Sequence, residues 1–344
     1  MTETAANPAE APGRPRVAVI LTGGTIGSAG NNELDRLDYV DLAKLLTVDE
    51  AMPLYTFPEQ VDVFFRPFPR IRSNDASTQF WLDLRTEISA ILRDEPTTAG
   101  IVITHGTATL EETAYFLHLT VNTEVPIVLI GAQRPPTSIG SDAQTNLYNA
   151  VLLAASPAAV GHGVLVAMDD QILSARDVTK SSNHRLSTFQ ARDHGPLGDI
   201  DPYGGVWFYR KLLRRHTVTS QFATDDALTV FPRVEVIPVY AGVDGLAIDA
   251  AVERGVAGLI IASLPPSLNP ATIDAAIERA QAAGVSVVQS SRAITGRVVQ
   301  RHGFDDRGLA SSDTLSPQGA RLLLMLCLAS GLSQREIVTA FAEY

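Results

Sequence analysis

The stretch VAVILTGGTIGS, residues 17–28, decides the fold of this chain. An apolar run is followed by two glycines, Gly23 and Gly24, and then by the hydroxyl residue Thr25. This order predicts a buried parallel strand that ends in a tight turn. Ligands of open α/β sheets bind beyond the carboxyl ends of the strands, so Thr25 is predicted to lie where a reactive hydroxyl is useful. The same pattern also fits a phosphate-binding turn or a plain strand-to-loop turn.

The order of strand, glycine turn and polar residues recurs twice. GIVITHGTATLEETAYFLHLTV, residues 100–121, places a second threonine, Thr107, just beyond a strand. Thr109 and Glu112 have the spacing of a capping box, which predicts a helix after this turn. PIVLIGAQRPPTSIGSDAQTNLYNAVLLA, residues 126–154, repeats the pattern. Strands that alternate with helices in this way predict a mainly parallel sheet.

Further along the chain, GVLVAMDDQI predicts one more strand, and Lys180 follows in a polar loop. The periodicity then weakens, which indicates an interdomain connection, and resumes with the strands VEVIPVY, GLIIASL and SVVQSS. The predicted fold class is α/β, with a large N-terminal domain whose mainly parallel sheet is flanked by helices, plus a smaller C-terminal α/β domain. The predicted bounds are a disordered N-terminus at 1–15, the N-terminal domain at 16–215, a linker at 216–232 and the C-terminal domain at 233–344.

Composition argues against several classes of protein, namely nucleic-acid-binding, membrane and metal-binding proteins. The chain has 344 residues and a net charge of −11, so it lacks the basic balance of a nucleic-acid-binding protein. No stretch is apolar for long enough to predict a transmembrane helix, and the first residues do not resemble a signal peptide, so we expect a soluble, cytoplasmic protein. Cys327, the one cysteine, lies in an apolar run and is predicted to be a core thiol. We find no metal-ligand spacing and no nucleotide-binding fingerprint, which predicts no metal and no cofactor.

The two threonines and the lysine suit one kind of chemistry. A threonine hydroxyl becomes a nucleophile when a nearby base takes its proton, and Lys180 serves as that base if desolvation lowers its pKa. Backbone N–H groups in the glycine turns at Gly24 and Gly106 suit the oxyanion of a tetrahedral intermediate. These parts fit acyl transfer from an amide to a threonine and then to water. His105 fits either a base or a hydrogen-bonded structural residue.

Two loop segments have two interpretations each. Tyr39 either packs inward as the first residue of a helix or reaches back over Thr25 from a loop. Ser73 or Asp75 either caps the following helix or forms, with Asn74, an anion site suited to a substrate carboxylate.

Six segments in order resemble the bacterial L-asparaginase and glutaminase-asparaginase family. They are TGGTIG, ITHGTATLEETAYFL, GAQRPPTSIGSDAQTNLYNAV, ARDVTK, VVQSSR and LSPQGARLLLMLCLA. The resemblance covers nearly the whole chain and implies a homodimer or homotetramer, with active sites between the N-terminal domain of one subunit and the C-terminal domain of a neighbour.

The resemblance implies roles for individual residues. Thr25 is similar to the primary nucleophile, and Tyr39 to the mobile-loop tyrosine that covers it. Thr107 is similar to the second catalytic threonine, and Lys180 to the lysine that deprotonates it. Ser73 resembles the serine that binds the substrate's α-carboxylate, and the neighbouring Asn74 stands where periplasmic members commonly have glutamine.

The chain departs from the family pattern at three places. The family motif His-Gly-Thr-Asp-Thr has Ala108 in place of its aspartate, which normally holds the substrate's α-ammonium and contacts the lysine. Gly303 aligns with a glutamate that a neighbouring subunit supplies in periplasmic-type members. The third departure is a turn that is rich in glycine and asparagine in family members. It is replaced here by Leu264-Pro265-Pro266-Ser267-Leu268, which predicts a more apolar wall beside the substrate site. Without its carboxylate partner, Lys180 is expected to have a lower pKa than its family counterparts.

Three readings follow. The first is an amidohydrolase whose small amide, imide or lactam substrate lacks the α-ammonium of asparagine. The second is an L-asparaginase in which another acid, such as Asp75, Asp305 or Asp306, holds the ammonium. The third is a non-catalytic binding protein on the same fold, which the joint presence of Thr25, Thr107 and Lys180 argues against.

Overall fold

The structure is a computed structural model that describes residues 13–42, 44–223 and 228–344. The disorder predicted for residues 1–12, and the linker residues 224–227, lie outside the described residues.

Strands and helices alternate along most of the chain. The strands are β1 (Arg16–Leu21), β2 (Ser28–Ala29), β3 (Lys44–Leu45), β4 (Asp62–Arg66), β5 (Thr98–Thr104), β6 (Ile127–Ile130), β7 (Val164–Met168), β8 (Gln171–Ser174), β9 (Val178–Lys180), β10 (Phe189–Ala191), β11 (Gly198–Ile200), β12 (Val206–Phe208), β13 (Val234–Pro238), β14 (Gly258–Ser263), β15 (Ser286–Ser291) and β16 (Ala310–Ser311). The α-helices are α1 (Tyr39–Leu42), α2 (Val48–Ala51), α3 (Thr78–Asp94), α4 (Leu110–Thr120), α5 (Ala143–Ala155), α6 (Leu246–Glu253), α7 (Ala271–Ala282), α8 (His302–Asp305), α9 (Pro317–Ala329) and α10 (Gln334–Glu343).

The large sheet has the order β12-β11-β8-β7-β6-β5-β1-β4, and its strands from β4 to β7 are parallel. Side chains of β1 alternate between its two faces, as the pleat requires. Val17 and Val19 belong to the core on the α5 side, whereas Ala18 and Ile20 belong to the core that contains α3 and α4. Both faces are covered, and the strand is accordingly apolar from Val17 to Leu21.

The strand β1 lies at the point where the order of strands in the sheet reverses. After β1 the chain passes to β4 on one side of it, and then to β5 on the other side. Ligands of open α/β sheets bind in the crevice that such a reversal opens beyond the carboxyl ends of the strands. The turns after β1 and β5 contain Thr25 and Thr107.

The C-terminal residues form a second, smaller sheet. Its four strands are parallel in the order β13-β14-β15-β16, and α6 and α7 pack on one face. The other face shares a core with α9, which also contacts α4 of the N-terminal part. The predicted fold class is therefore confirmed.

Two sequence predictions about strands are wrong. GVLVAMDDQI is not one strand: β7 and β8 are an antiparallel hairpin that turns at Asp169 and Asp170, whose φ values are 53° and 61°. Lys180 does not lie in a loop, since it ends β9 and pairs with Phe189 of β10. In addition, β11 and β12 extend the large sheet where the sequence showed no clear element.

Within the described ranges, no helix is both long and apolar enough to cross a bilayer. The same residues contain no group of three or more His, Cys, Asp or Glu side chains placed to hold a metal ion.

Candidate active site

Two glycine turns pack backbone against backbone beyond β1 and β5. Gly24 has φ 80° and ψ −177°, a conformation that is open almost only to glycine. A Cβ atom on Gly24 would lie 2.3 Å from Cα of Gly106, and one on Gly106 would lie 2.6 Å from Oγ of Ser73. This close packing brings the segments that contain Thr25, Thr107 and Ser73 together.

Tyr39 contacts Thr25 directly. The two hydroxyl oxygens are 2.7 Å apart, and either one can be the donor. The backbone N–H of Tyr39 donates to the carboxylate of Asp35, which also accepts hydrogen bonds from Asn31 and Leu37. Burial raises the pKa of the Tyr39 phenol, so the phenol is neutral near pH 7. Tyr39 thus matches both interpretations, because it begins the short helix α1 and also reaches Thr25.

Lys180 contacts the second threonine. Its Nζ atom donates to Oγ1 of Thr107 at 2.7 Å, and its backbone N–H donates to the carboxylate of Glu111 at 2.6 Å. Burial lowers the pKa of Lys180, while the charge of Glu111 acts in the opposite direction. Desolvation thus lowers the pKa of Lys180, as the role of a base requires, and a carboxylate does lie near this lysine.

The segment of Ser73 and Asn74 lies beside the turn after β5. Oγ of Ser73 is 3.4 Å from the backbone N–H of Ala108, and the hydroxyl of Thr109 donates to the Ser73 carbonyl at 2.6 Å. Thr109 therefore makes no side-chain capping bond to α4. Neither Ser73 nor Asp75 caps α3, since Ser77 does so by accepting from the N–H of Phe80.

One cavity of about 470 Å³ joins these groups. All nine residues that the sequence proposed for the site line it, namely Thr25, Thr107, Lys180, Tyr39, Ser73, Asn74, Gly24, Gly106 and Ala108. Sequence reasoning missed six further polar lining residues, which are Ser28, Arg36, Arg72, Gln133, Asn183 and His184. All of these except Ser28 lie in polar stretches that have the signature of an ordinary solvated loop.

No Asp or Glu is among the described residues that line this cavity. Asp75 is exposed beside Asn74 without lining the cavity, and Asp305 accepts a hydrogen bond from Gln300 in the C-terminal part. Asp306 and Gly303 are exposed at α8. The acid that the second reading requires is therefore not supplied by the described residues around this cavity.

His105 has the structural role rather than that of a base. Its ring is buried, with Nδ1 2.8 Å from the carbonyl of Gly106 and Nε2 3.0 Å from the hydroxyl of Thr113. Burial lowers the pKa of His105 to about 4, so the ring is neutral at pH 7. It supports the turn that presents Thr107 without lining the cavity.

Comparisons with known proteins place both parts of the chain in one family. Residues 16–214 match the family model "Asparaginase, N-terminal", and residues 233–341 match "Glutaminase/Asparaginase C-terminal domain". L-asparaginase 2 of Bacillus subtilis is 35% identical over 334 residues, which cover 96% of this chain and 87% of the relative. Glutaminase-asparaginase of Pseudomonas aeruginosa is 35% identical over 335 residues, which cover 95% and 90%. A solved structure titled as a probable cytoplasmic L-asparaginase from Campylobacter jejuni superposes with a TM-score of 0.89 at 33% identity, covering 96% of this chain and all of that one.

Proposed function

Because the chain belongs to the asparaginase family of amidohydrolases, we propose that it hydrolyses a small amide, imide or lactam that lacks the α-ammonium group of asparagine. The observation that supports this proposal is the composition of the cavity, which has no carboxylate among its described lining residues. A buried ammonium without a paired carboxylate costs several kcal/mol. Ala108 offers a methyl group where the family motif has an aspartate.

The proposed reaction uses two hydrogen-bonded pairs, Thr25 with Tyr39 and Thr107 with Lys180. Thr25 Oγ1 forms an ester with the acyl carbon of the amide, the C–N bond breaks, and ammonia leaves with the hydroxyl proton. Lys180 accepts the proton of Thr107, which in turn takes a proton from the attacking water. The water oxygen then replaces Thr25 at the acyl carbon, the ester C–O bond breaks, and the proton held by Lys180 passes to the leaving Thr25 oxygen, which restores both groups. The distances of 2.7 Å from Thr25 to Tyr39 and from Thr107 to Lys180 support these roles.

Steady-state kinetics on two matched substrates test the substrate class. Succinamate is asparagine without its ammonium, and we expect its kcat/KM to exceed that of L-asparagine by about ten- to a hundred-fold, the usual effect of one charged interaction. Ala108→Asp should raise kcat/KM for L-asparagine, whereas Ala108→Asn, similar in size but neutral, should not. Efficient turnover of L-asparagine by the unmodified chain would refute the proposal.

L-asparaginase activity proper is the second candidate, and the names of the relatives favour it. The same pair of substrates separates it from the first, since an asparaginase prefers L-asparagine over succinamate. A non-catalytic binding protein is the third candidate. It predicts that Thr25→Ala leaves every measurable activity unchanged.

We also propose the organisation of the whole protein. Residues 16–215 and 233–344 are proposed to be two domains joined by residues 216–232, since the strands of the large and small sheets fall within these bounds. A cytoplasmic location is supported by the Campylobacter jejuni relative, although another relative is named as periplasmic. A homodimer or homotetramer is proposed from the family resemblance, with no nucleic acid or membrane as partner.

A further inference from the structure

Two arginines line the candidate cavity from different loops. Arg36 lies three residues before Tyr39, and Arg72 directly precedes Ser73. Both are exposed, and neither side chain makes a hydrogen bond or ion pair with another described residue. Arg16 shows the contrast, because its guanidinium pairs with Asp62 and Glu95 on the same molecule. The cavity therefore contains two guanidinium groups that are free to bind a ligand.

The charges around the cavity have one sign. Arg36 and Arg72 are permanently cationic lining residues, Lys180 is cationic when it is protonated, and none of the described lining residues is acidic. Clefts lined by one sign of charge focus the field and concentrate ligands of the opposite sign. A guanidinium binds a carboxylate through two parallel hydrogen bonds, which makes arginine well suited to such a ligand. The cavity thus has more cationic groups than are needed to bind a substrate with a single α-carboxylate.

Arg72 directly precedes Ser73, which contacts Ala108, the residue that stands where the family motif has an aspartate. The hydroxyl of Ser73, its neighbour in the chain, is 3.4 Å from the backbone N–H of Ala108. The Arg72 backbone therefore runs beside the position from which an aspartate would hold an ammonium. The cavity lining thus contains a neutral methyl group at Ala108 and a guanidinium at Arg72, which suit an anion better than a cation.

We propose that the substrate bears a second carboxylate in place of the ammonium group and that Arg72 binds it, with Arg36 contributing from its own loop. The substrate class is then the monoamides of short tricarboxylic acids. This inference rests on the proposed function, because it concerns the amide that the same threonines hydrolyse.

The kinetic test compares one-carboxylate and two-carboxylate amides. The terminal monoamide of tricarballylic acid is succinamate with an added carboxymethyl group, and we expect its kcat/KM to be at least about tenfold higher. Arg72→Gln should lower that value by about ten- to a hundred-fold and change the value for succinamate by less than about threefold. Arg72→Lys should retain part of the preference. Arg93→Gln, which removes an exposed arginine on α3, should change neither value.

Binding measurements keep the inference separate from the proposed function. Isothermal titration with tricarballylate and with succinate reports the charge preference of the cavity without any turnover. If succinamate is hydrolysed but tricarballylate binds no better than succinate, the inference is wrong and the proposed function stands. If tricarballylate binds at least tenfold more tightly and Arg72→Gln abolishes the difference, the inference holds even when no amide is hydrolysed. Equal losses for both ligands in Arg72→Gln would also overturn it.

Discussion

Lys180 lies between a hydroxyl that it must deprotonate and a carboxylate that opposes this role. Its Nζ atom donates to Thr107, while Glu111 accepts from its backbone N–H. Burial lowers the pKa of the lysine, and the negative charge of Glu111 raises it. The fraction of neutral Lys180 at a given pH therefore depends on a residue that does not line the cavity.

Removal of the Glu111 charge should shift the pH profile of the enzyme. Glu111→Gln retains an oxygen that can accept from Lys180 N–H, but it loses the charge that favours protonated lysine. The acid limb of the kcat profile should move to lower pH, so that the ratio of kcat at pH 6 to kcat at pH 9 rises roughly threefold or more. Glu112→Gln is the matched control, since Glu112 faces Arg321 instead. An unchanged normalised profile in Glu111→Gln would contradict this account of Lys180.

The predictability of the site residues differs by residue type. Thr25 and Thr107 were predictable because each follows an apolar strand and a glycine turn, a pattern that fixes their place at one edge of the sheet. Lys180 was proposed as a base because its chemistry suits the threonines, and the family resemblance assigned it to Thr107, but its strand of three residues was not predicted. Arg36 and Arg72 had no signal, because an arginine in a polar loop reads the same whether it faces solvent or a cavity.

Among the elements, the two glycine turns set the geometry of the site, and Gly24→Ala tests their contact. The new Cβ would meet Cα of Gly106 at 2.3 Å in a backbone conformation with φ 80°. We expect a loss of about 1–3 kcal/mol of unfolding free energy from backbone strain alone, together with loss of nearly all activity. Gly27→Ala is the control in the same turn, since nothing lies within 4 Å of its Cβ. Urea titration and kcat measure both effects, and similar values for the two variants would contradict the prediction.

The turn between β7 and β8 was not predicted from the sequence, because it lacks the usual glycine. Two-residue hairpin turns with two positive φ values usually contain glycine, which is the signal that sequence reasoning uses. Asp169 and Asp170 adopt this conformation without glycine, in the stretch GVLVAMDDQI. The missed turn matters, because the chain that leaves β8 leads directly to β9 and Lys180.

At the scale of the whole molecule, Asp313 connects the two parts of the chain. Its buried carboxylate pairs with Arg176 and Arg214 from the N-terminal part and with Arg297 from the C-terminal part. Arg176 lies just before β9, so this network ties the strand of Lys180 to the smaller sheet. No sequence pattern relates residues so far apart, whereas the alternation of strands and helices was sufficient to predict that the chain forms a large and a small sheet.

Buried histidines should make the stability of the fold depend on pH, and no sequence motif indicates this. The rings of His118 and His216 lie 4.8 Å apart, and Nδ1 of His118 accepts the backbone N–H of Val164. Burial lowers the pKa of His216 to about 4, as it does for His105, and it also lowers the pKa of His118 well below its ordinary value. Unfolded histidines bind protons near pH 6.5, so the unfolded chain takes up more protons than the folded one below that pH.

Stability should therefore fall as the pH falls from about 6.5 towards 4, which is the window between the unfolded and the folded pKa values. Each such histidine should lower the free energy of unfolding by about 1 kcal/mol between pH 7.5 and pH 5.5. Burial raises the pKa of Glu111 and Glu112, which opposes this trend near the lower end of the window, so the comparison stops at pH 5.5. His216→Gln should reduce the pH dependence of urea unfolding by the share of one histidine, whereas His302→Gln, at an exposed position on α8, should leave it unchanged. If both variants keep the full dependence, the acid sensitivity arises elsewhere than in this buried pair.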